Sequence, residues 1–248
     1  MNLRPLLLTA LLACTTAALA DNTFDKTVNV SGQSDLYVST GSGNIHIVPG
    51  GGGQIHIVGH VHAGWSSFGD VNSRVQKIVE NPPIAQSGNT VRVGEVSDHS
   101  LFNNISIDYD ITVPADVALN LHSGSGDVDV TNVGRFVLAT SGSGNVRAHG
   151  VHGPADLESG SGELELDDLG AGDVKVKTGS GDVRLHLTPD SRFTLEASTG
   201  SGDIRVHMPG VVAANSDTSR HHVTTSVNGG GPGLEIRTGS GDVEIASR

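Results

Sequence analysis

One twelve-residue phrase recurs seven times along this chain: apolar, any, apolar, any, Ser or Thr, Gly, Ser, Gly, then Asp, Asn or Glu, apolar, any, apolar. The Gly-Ser-Gly triplets begin at Gly41, Gly124, Gly142, Gly160, Gly179, Gly200 and Gly239, and the intervals from Gly124 onward are 18, 18, 19, 21 and 39 residues. A repeat of about 20 residues with two strand-like arms is the mark of stacked units that bury their apolar faces against one another. It constrains the fold far more than the function.

Counted from the first Gly, the positions three and five upstream and four and six downstream are apolar in every copy, as with Val174, Val176, Val183 and Leu185 in the fifth. The positions between them are mostly polar. Alternation with period two predicts β-strands with one face inward. Two glycines flanking a serine predict a corner, with φ > 0 available at no steric cost. The Ser or Thr before each corner (Thr40, Ser123, Ser141, Ser159, Thr178, Thr199, Thr238) predicts a ladder of hydroxyls at the strand spacing of ~4.8 Å. Five residues after each first Gly, from the second copy, stand Asp129, Arg147, Glu165, Arg184, Arg205 and Glu244. Charges that mostly alternate between copies fit in-register parallel stacking, as does the equivalent pair Glu158 and Lys177. The fold expected is all-β, a parallel β-solenoid with one short capping helix.

The remaining chain divides accordingly. Residues 1–20 have a basic residue (Arg4), an apolar run from Leu6 to Ala13, and Ala18-Leu19-Ala20 before Asp21, the pattern of a secretory leader. Cys14, the only cysteine, follows Leu11-Leu12-Ala13 and resembles the lipidated cysteine of a bacterial lipobox. Plain cleavage after Ala20 and lipidation at Cys14 are the two readings, and neither allows a disulfide within one chain. Residues 21–248 form a single domain, with an irregular insertion at 64–103 and a loop or hairpin at 211–233. Within the first insertion, Val71, Val75, Ile78 and Val79 predict a helix over Asp70–Glu80, stopped by Asn81-Pro82-Pro83. Strands are expected at Thr27–Val30, Leu36–Thr40, Ile45–Val48, Ile55–Val61, Thr90–Val96 and Asn104–Val113. The doubled final interval suggests a degenerate copy, and the last strand, around Ile245, is expected to be an open edge available for self-association.

The net charge of −12 and the lack of any basic patch speak against nucleic-acid binding. After the leader no apolar run approaches a membrane span, so a lipid at Cys14 would be the sole membrane attachment.

The repeated Ser/Thr-Gly-Ser-Gly-Asp phrase, the segment ISIDYDITVP (Ile105–Pro114) and the closing VNGGGPGLEIRTGSGDVEI resemble the DUF4097 family. These are bacterial β-strand-repeat proteins that carry an adhesin label, similar in style to the head-GIN (DUF2807) domains. The resemblance spans Phe24 to Ile245 and departs at Val211–Gly233. It implies an exported β-solenoid with no defined catalytic residues.

Several constellations invite chemistry. The corner residues Asn44, Asp127, Asn145, Glu163, Asp182, Asp203 and Asp242 could hold Ca²⁺, but Asx side chains also brace turns by bonding their own backbone, and turn structure is the reading preferred. His149, Asp167, His186 and His207 fall at one position of consecutive copies and would line up as a surface site for Zn²⁺ or Cu²⁺, although a solvated polar face is the plainer reading. Asp108 and Asp110 share a strand face at a spacing that paired carboxylates use in glycoside cleavage, yet they also suit the outward side of an ordinary strand. Gly-Ser-Gly lacks the third glycine and following helix of a phosphate cradle. No catalytic residue and no cofactor is assigned. The leading expectation is an exported, non-enzymatic adhesin that presents its repeat surface to an envelope protein or glycan. The alternatives are a periplasmic scaffold or stress-sensing protein that binds another envelope protein, and a polysaccharide-active β-helix enzyme.

Overall fold

The computed structural model describes residues 22–64, 71–95, 99–168, 170–211 and 217–248. The leader with Cys14 lies outside them, as do Trp65, Asp70 and Val96. The chain opens with β1 (Thr23–Asn29), β2 (Ser34–Thr40), β3 (Ile45–Pro49) and β4 (Gln54–Ala63), then α1 (Val71–Glu80). Next come β5 (Ile84–Ser87), β6 (Thr90–Val93), a 3₁₀ turn (His99–Phe102) and β7 (Ile105–Val113). The regular copies follow in pairs: β8 (Val117–Ser123) with β9 (Val128–Thr131), β10 (Phe136–Ser141) with β11 (Val146–His149), β12 (Ala155–Ser159) with β13 (Leu164–Asp167). Then come β14 (Val174–Ser180) with β15 (Val183–Leu187) and β16 (Phe193–Ser201) with β17 (Ile204–His207). The chain closes with β18 (Asp217–Thr218), β19 (His222–Val227), β20 (Gly233–Ser240) and β21 (Val243–Ser247).

The result is a mostly-β body of two large sheets, with no closed barrel. Upstream arms form one sheet in the order β18-β19-β16-β20-β14-β12-β10-β8-β2-β6-β5, and downstream arms form the other, β1-β4-β7-β3-β9-β11-β13-β15-β21-β17. The aliphatic arm positions meet between the sheets. All are buried except Ile204 and Val206 on the edge strand β17, which are half-covered. Helix α1 buries Val75 and Ile78 against β4 and β1, and Arg74 ties it to the 3₁₀ turn region through the Asn103 carbonyl at 2.8 Å.

Three expectations need correction. The stack does not follow chain order. The copies lie in the spatial order first to fifth, then seventh, then sixth, because β20 is seated between β14 and β16, and β21 between β15 and β17. The last strand is therefore interior rather than an open edge: Ile245 is fully buried, and the described edges are β1 and β17, β18 and β5. The parallel pattern also gives out at the ends, where β1, β4 and β7 pair antiparallel, as do β5 with β6 and β16 with β19.

The physical reason for the displaced copy is visible at the crossing. Residues 211–233 are not a degenerate copy. Their described part, residues 217–233, runs along the outer edge of β16 as β19 and carries the chain over the end of that strand into β20 on its inner side. Asn228, Gly229 and Gly230 turn there with φ of 51°, 87° and 81°, conformations that L side chains rarely adopt. A Cβ on Gly231 would lie 2.5 Å from the Arg192 carbonyl, so only glycine lets the strands cross this closely.

Corner glycines likewise answer to crowding more than to dihedral freedom. Among them only Gly202 and Gly241 have positive φ, at 140° and an almost extended 159°. A Cβ on Gly126 would instead sit 2.0 Å from the Gly43 carbonyl oxygen, and one on Gly144 2.1 Å from that of Gly126. The buried hydroxyls form a ladder, but through the backbone. Ser141 Oγ accepts the Gly144 N–H at 2.9 Å and donates to the Gly126 carbonyl of the neighbouring copy at 2.9 Å. Ser123 and Ser159 repeat the pattern.

Val183→Asp places a charge in the fully buried row and should unfold the domain or cost several kcal/mol. Arg184→Asp, one residue away on the outward face, should cost about 1 kcal/mol. Urea denaturation of both variants measures the difference, and equal effects would contradict the register.

Candidate functional site

The outward face of the ten-stranded sheet carries most of the organised polar chemistry. Its strands are held in register by the corners, so equivalent residues form rows across the sheet. One row reads Asp110, His46, Asp129, Arg147, Glu165, Arg184, Glu244, Arg205. An acid is followed by a basic residue at every step. In chain order Arg184 and Arg205 would be neighbours, whereas the inserted copy puts Glu244 between them. Arg147 bonds Asp127 at 3.2 Å and Asp129 at 3.3 Å, Arg184 pairs with Glu163 and Asp182, and Arg205 bonds Asp242 at 2.9 Å and Asp203 at 3.0 Å.

The corner acids and amides form a second row. Asn44, Asp127 and Asn145 each accept the backbone N–H of the equivalent residue in the next copy, at 2.8–2.9 Å. They brace the neighbouring copy, not their own turn as expected. The displaced copy obeys the same rule: Asp242 N–H bonds Asp182 at 2.9 Å, and Asp203 N–H bonds Asp242 at 2.9 Å. Burial acts to raise the Asp127 carboxyl, but bonds from the Asn145 N–H, Arg147 and the Asn145 side chain hold it below its ordinary value. Asp242 is also held low, by the Asp203 N–H first and Arg205 second.

Of the four residues aligned in sequence as candidate metal ligands, three come together. Asp167 Oδ2 lies 2.7 Å from His149 Nδ1, and its Oδ1 lies 3.1 Å from His186 Nδ1. His207 is not with them. Ala246 of the inserted copy stands between it and His186 in the register, which puts His207 two strands away. Glu165 joins instead, 3.8 Å from His186, and the donor atoms of Glu165, Asp167 and His186 lie within 4.8 Å of one another. Among the described residues, those three could hold a divalent ion. Glu165 was legible as the residue two before Asp167 on the same strand face. Arg248 was not: it bonds Asp167 at 2.8 Å because β21 runs beside β15. Burial acts to raise Asp167, but the His149 bond, the Arg248 charge and the His186 bond outweigh it and hold the carboxyl low.

Towards the β1 end, the strand pairing couples histidines to acids. His56 meets Asp25 at 2.8 Å, His60 meets Asp110 at 3.2 Å and His62 meets Asp108 at 3.0 Å. Asp108 also accepts the Asn44 N–H at 2.7 Å. The two carboxylates weighed as a catalytic pair are thus each engaged with a separate histidine on an open face.

The protein-family model Toastrack DUF4097 matches residues 21–246. The chain belongs to the DUF4097 family. No curated protein matches it. Two solved structures are similar to this chain. One is described as a putative cell adhesion protein from Clostridium sporogenes ATCC 15579, with 12% identity, TM-score 0.45, and coverage of 91% of this chain and 100% of that one. The other is described as a putative adhesin from Bacteroides fragilis NCTC 9343, with 12% identity, TM-score 0.35, and coverage of 91% and 97%. Among the described residues of this DUF4097 chain, no helix is long and apolar enough to cross a membrane.

A carboxyl whose folded pKa lies below its unfolded value of about 3.9 contributes stability that is present above that value and lost as pH falls through the folded pKa. Asp167→Asn should therefore cost about 1 kcal/mol at pH 7. Thermal unfolding as a function of pH should also show a shallower loss below about pH 4 than in the parent chain.

Proposed function

We propose that this chain is an exported, non-catalytic adhesin-type protein, built as a β-solenoid segment with antiparallel ends, that presents the outward face of the ten-stranded sheet to an envelope or extracellular ligand. The observation that carries this reading is the row of alternating charges, fixed across eight strands by backbone register. Such a face is rigid before it meets a partner, so little conformational entropy is lost on contact, and its repeated groups can engage a repetitive ligand at several points. Family membership supports the reading, as does the leader pattern of residues 1–20. Export would end in cleavage after Ala20 or in a lipid on Cys14.

The edge strand β17 favours a second reading, an envelope scaffold. Its Ile204 and Val206 are half-covered where every other copy buries the equivalent pair, which suits a partner strand added at that edge.

Protease shaving of intact cells, with a periplasmic protein as control, separates the two. Loss of this chain while the control survives is the result expected of a surface adhesin. Full protection would retire that reading and put the scaffold first.

A further inference from the structure

The side chains around β13 are arranged for more than ion pairing. Asp167 is the register partner of His149 on β11 and of His186 on β15, and Glu165 lies two residues before it on the same side of β13. The inward neighbours Ala148, Leu166 and Leu185 are buried, so the strands hold these four outward groups in place before any ligand arrives. All four are half-buried, and Asp167 is the least exposed at 17%. Along this face the same two positions read Asp129 and Thr131, Arg147 and His149, Glu165 and Asp167, Arg184 and His186, Glu244 and Ala246, Arg205 and His207. Among these copies only β13 has acids at both, and histidines flank it on either side.

Each of the two carboxylates divides its oxygens. Asp167 Oδ2 meets His149 Nδ1 at 2.7 Å and Arg248 at 2.8 Å, while Oδ1 faces His186 Nδ1 at 3.1 Å. Glu165 Oε2 lies 3.9 Å from Arg147, while Oε1 faces the same His186 nitrogen at 3.8 Å. Two carboxylates thus converge on one imidazole nitrogen, which carries a single proton at most. Ligands ~2.1 Å from a tetrahedral Zn²⁺ stand ~3.4 Å from one another. The separations of 3.1 and 3.8 Å straddle that value, and the three donor atoms all lie within 4.8 Å of one another. Holding the far oxygen of a ligating carboxylate with a neighbouring donor is how metal sites orient their ligands.

We propose that Asp167 Oδ1, Glu165 Oε1 and His186 Nδ1 bind a divalent transition-metal ion of the Zn²⁺ class, with His149, Arg248 and Arg147 as the groups that position the two carboxylates. One imidazole nitrogen with two carboxylate oxygens suits Zn²⁺, whereas Ca²⁺ takes about six to eight oxygens and no nitrogen. Three protein ligands leave a fourth position for water, as in an open site rather than a closed structural one. The proposal rests on the donor atoms alone and would stand whether or not the charged sheet face mediates attachment.

The test is calorimetric titration of the untagged full chain, in a Cys14→Ser background so that no thiol competes, with Zn²⁺ and with Ca²⁺ as the control. Saturable micromolar binding of Zn²⁺ and none of Ca²⁺ is expected. Glu165→Gln and His186→Ala should each abolish binding in that range. His149→Ala should weaken it about tenfold, the effect of losing an outer partner of a ligand. His62→Ala, at the separate pair with Asp108, should change nothing. Because Glu165 and His186 face outward, both variants should unfold near the parent temperature without metal, and only the parent should gain thermal stability from Zn²⁺. Absence of saturable Zn²⁺ binding, binding that survives both Glu165→Gln and His186→Ala, or equal binding of Ca²⁺ would overturn the proposal.

Discussion

The buried hydroxyl before each corner is the contact on which the architecture turns. At Ser123, Ser141 and Ser159 it accepts an N–H from its own copy and donates to a glycine carbonyl of the neighbouring copy, and at Thr178, Thr199 and Thr238 it makes the donated bond, so stacked copies are tied at a point that resists slip. Both partners lie in the interior, where an unmade bond would cost ~1–3 kcal/mol. The glycine is required because the carbonyl it faces stands ~2 Å from where a Cβ would be. Once the corners are fixed, the upstream arms of all copies fall into one sheet and the downstream arms into the other. The two sheets consequently share one copy order.

That order need not be the order of the chain, since the corners are nearly interchangeable. The outward row of the ten-stranded sheet favours the observed order. An opposite-charge pair across neighbouring strands is worth ~0.2–1 kcal/mol, and a like pair costs a similar amount. Placing the last copy between the fifth and sixth replaces an Arg184–Arg205 contact with Arg184–Glu244–Arg205 and continues the chain of corner carboxylates through Asp182, Asp242 and Asp203. The gain is small beside the buried core and is partly offset on the other sheet, where the same insertion sets Lys177 beside Arg237. The glycine run at 228–232 supplies the close crossing that the rearrangement needs.

Period-two patterning made the seven pairs of arms, their inward rows and the corners legible, because burial of alternate residues is a local property of sequence. The helix was legible for the same reason: Val71, Val75 and Ile78 mark one face, and α1 ends at Glu80 just before the two prolines. Copy order is not local. Two signals did bear on it, the adjacent arginines in an otherwise alternating series and the glycine run before the last copy, and each also fits a simple loop. The same limit governed the sheet face. Asp167 with His149 and His186 follows from consecutive copies, whereas the absence of His207 and the arrival of Arg248 both depend on the inserted strand.

Disulfide trapping across β15, β21 and β17 tests the copy order most directly, at positions that leave the charged row intact. In a Cys14→Ser background, the pairs His186→Cys with Ala246→Cys and Ala246→Cys with His207→Cys stand on adjacent strands, within the ~4.4–6.8 Å Cα range that a disulfide spans. The pair His186→Cys with His207→Cys lies two strands apart, beyond that range. Rapid cross-linking of the first two pairs and none of the third is the result predicted. Efficient cross-linking of His186→Cys to His207→Cys would show that the copies stack in chain order and would contradict the account.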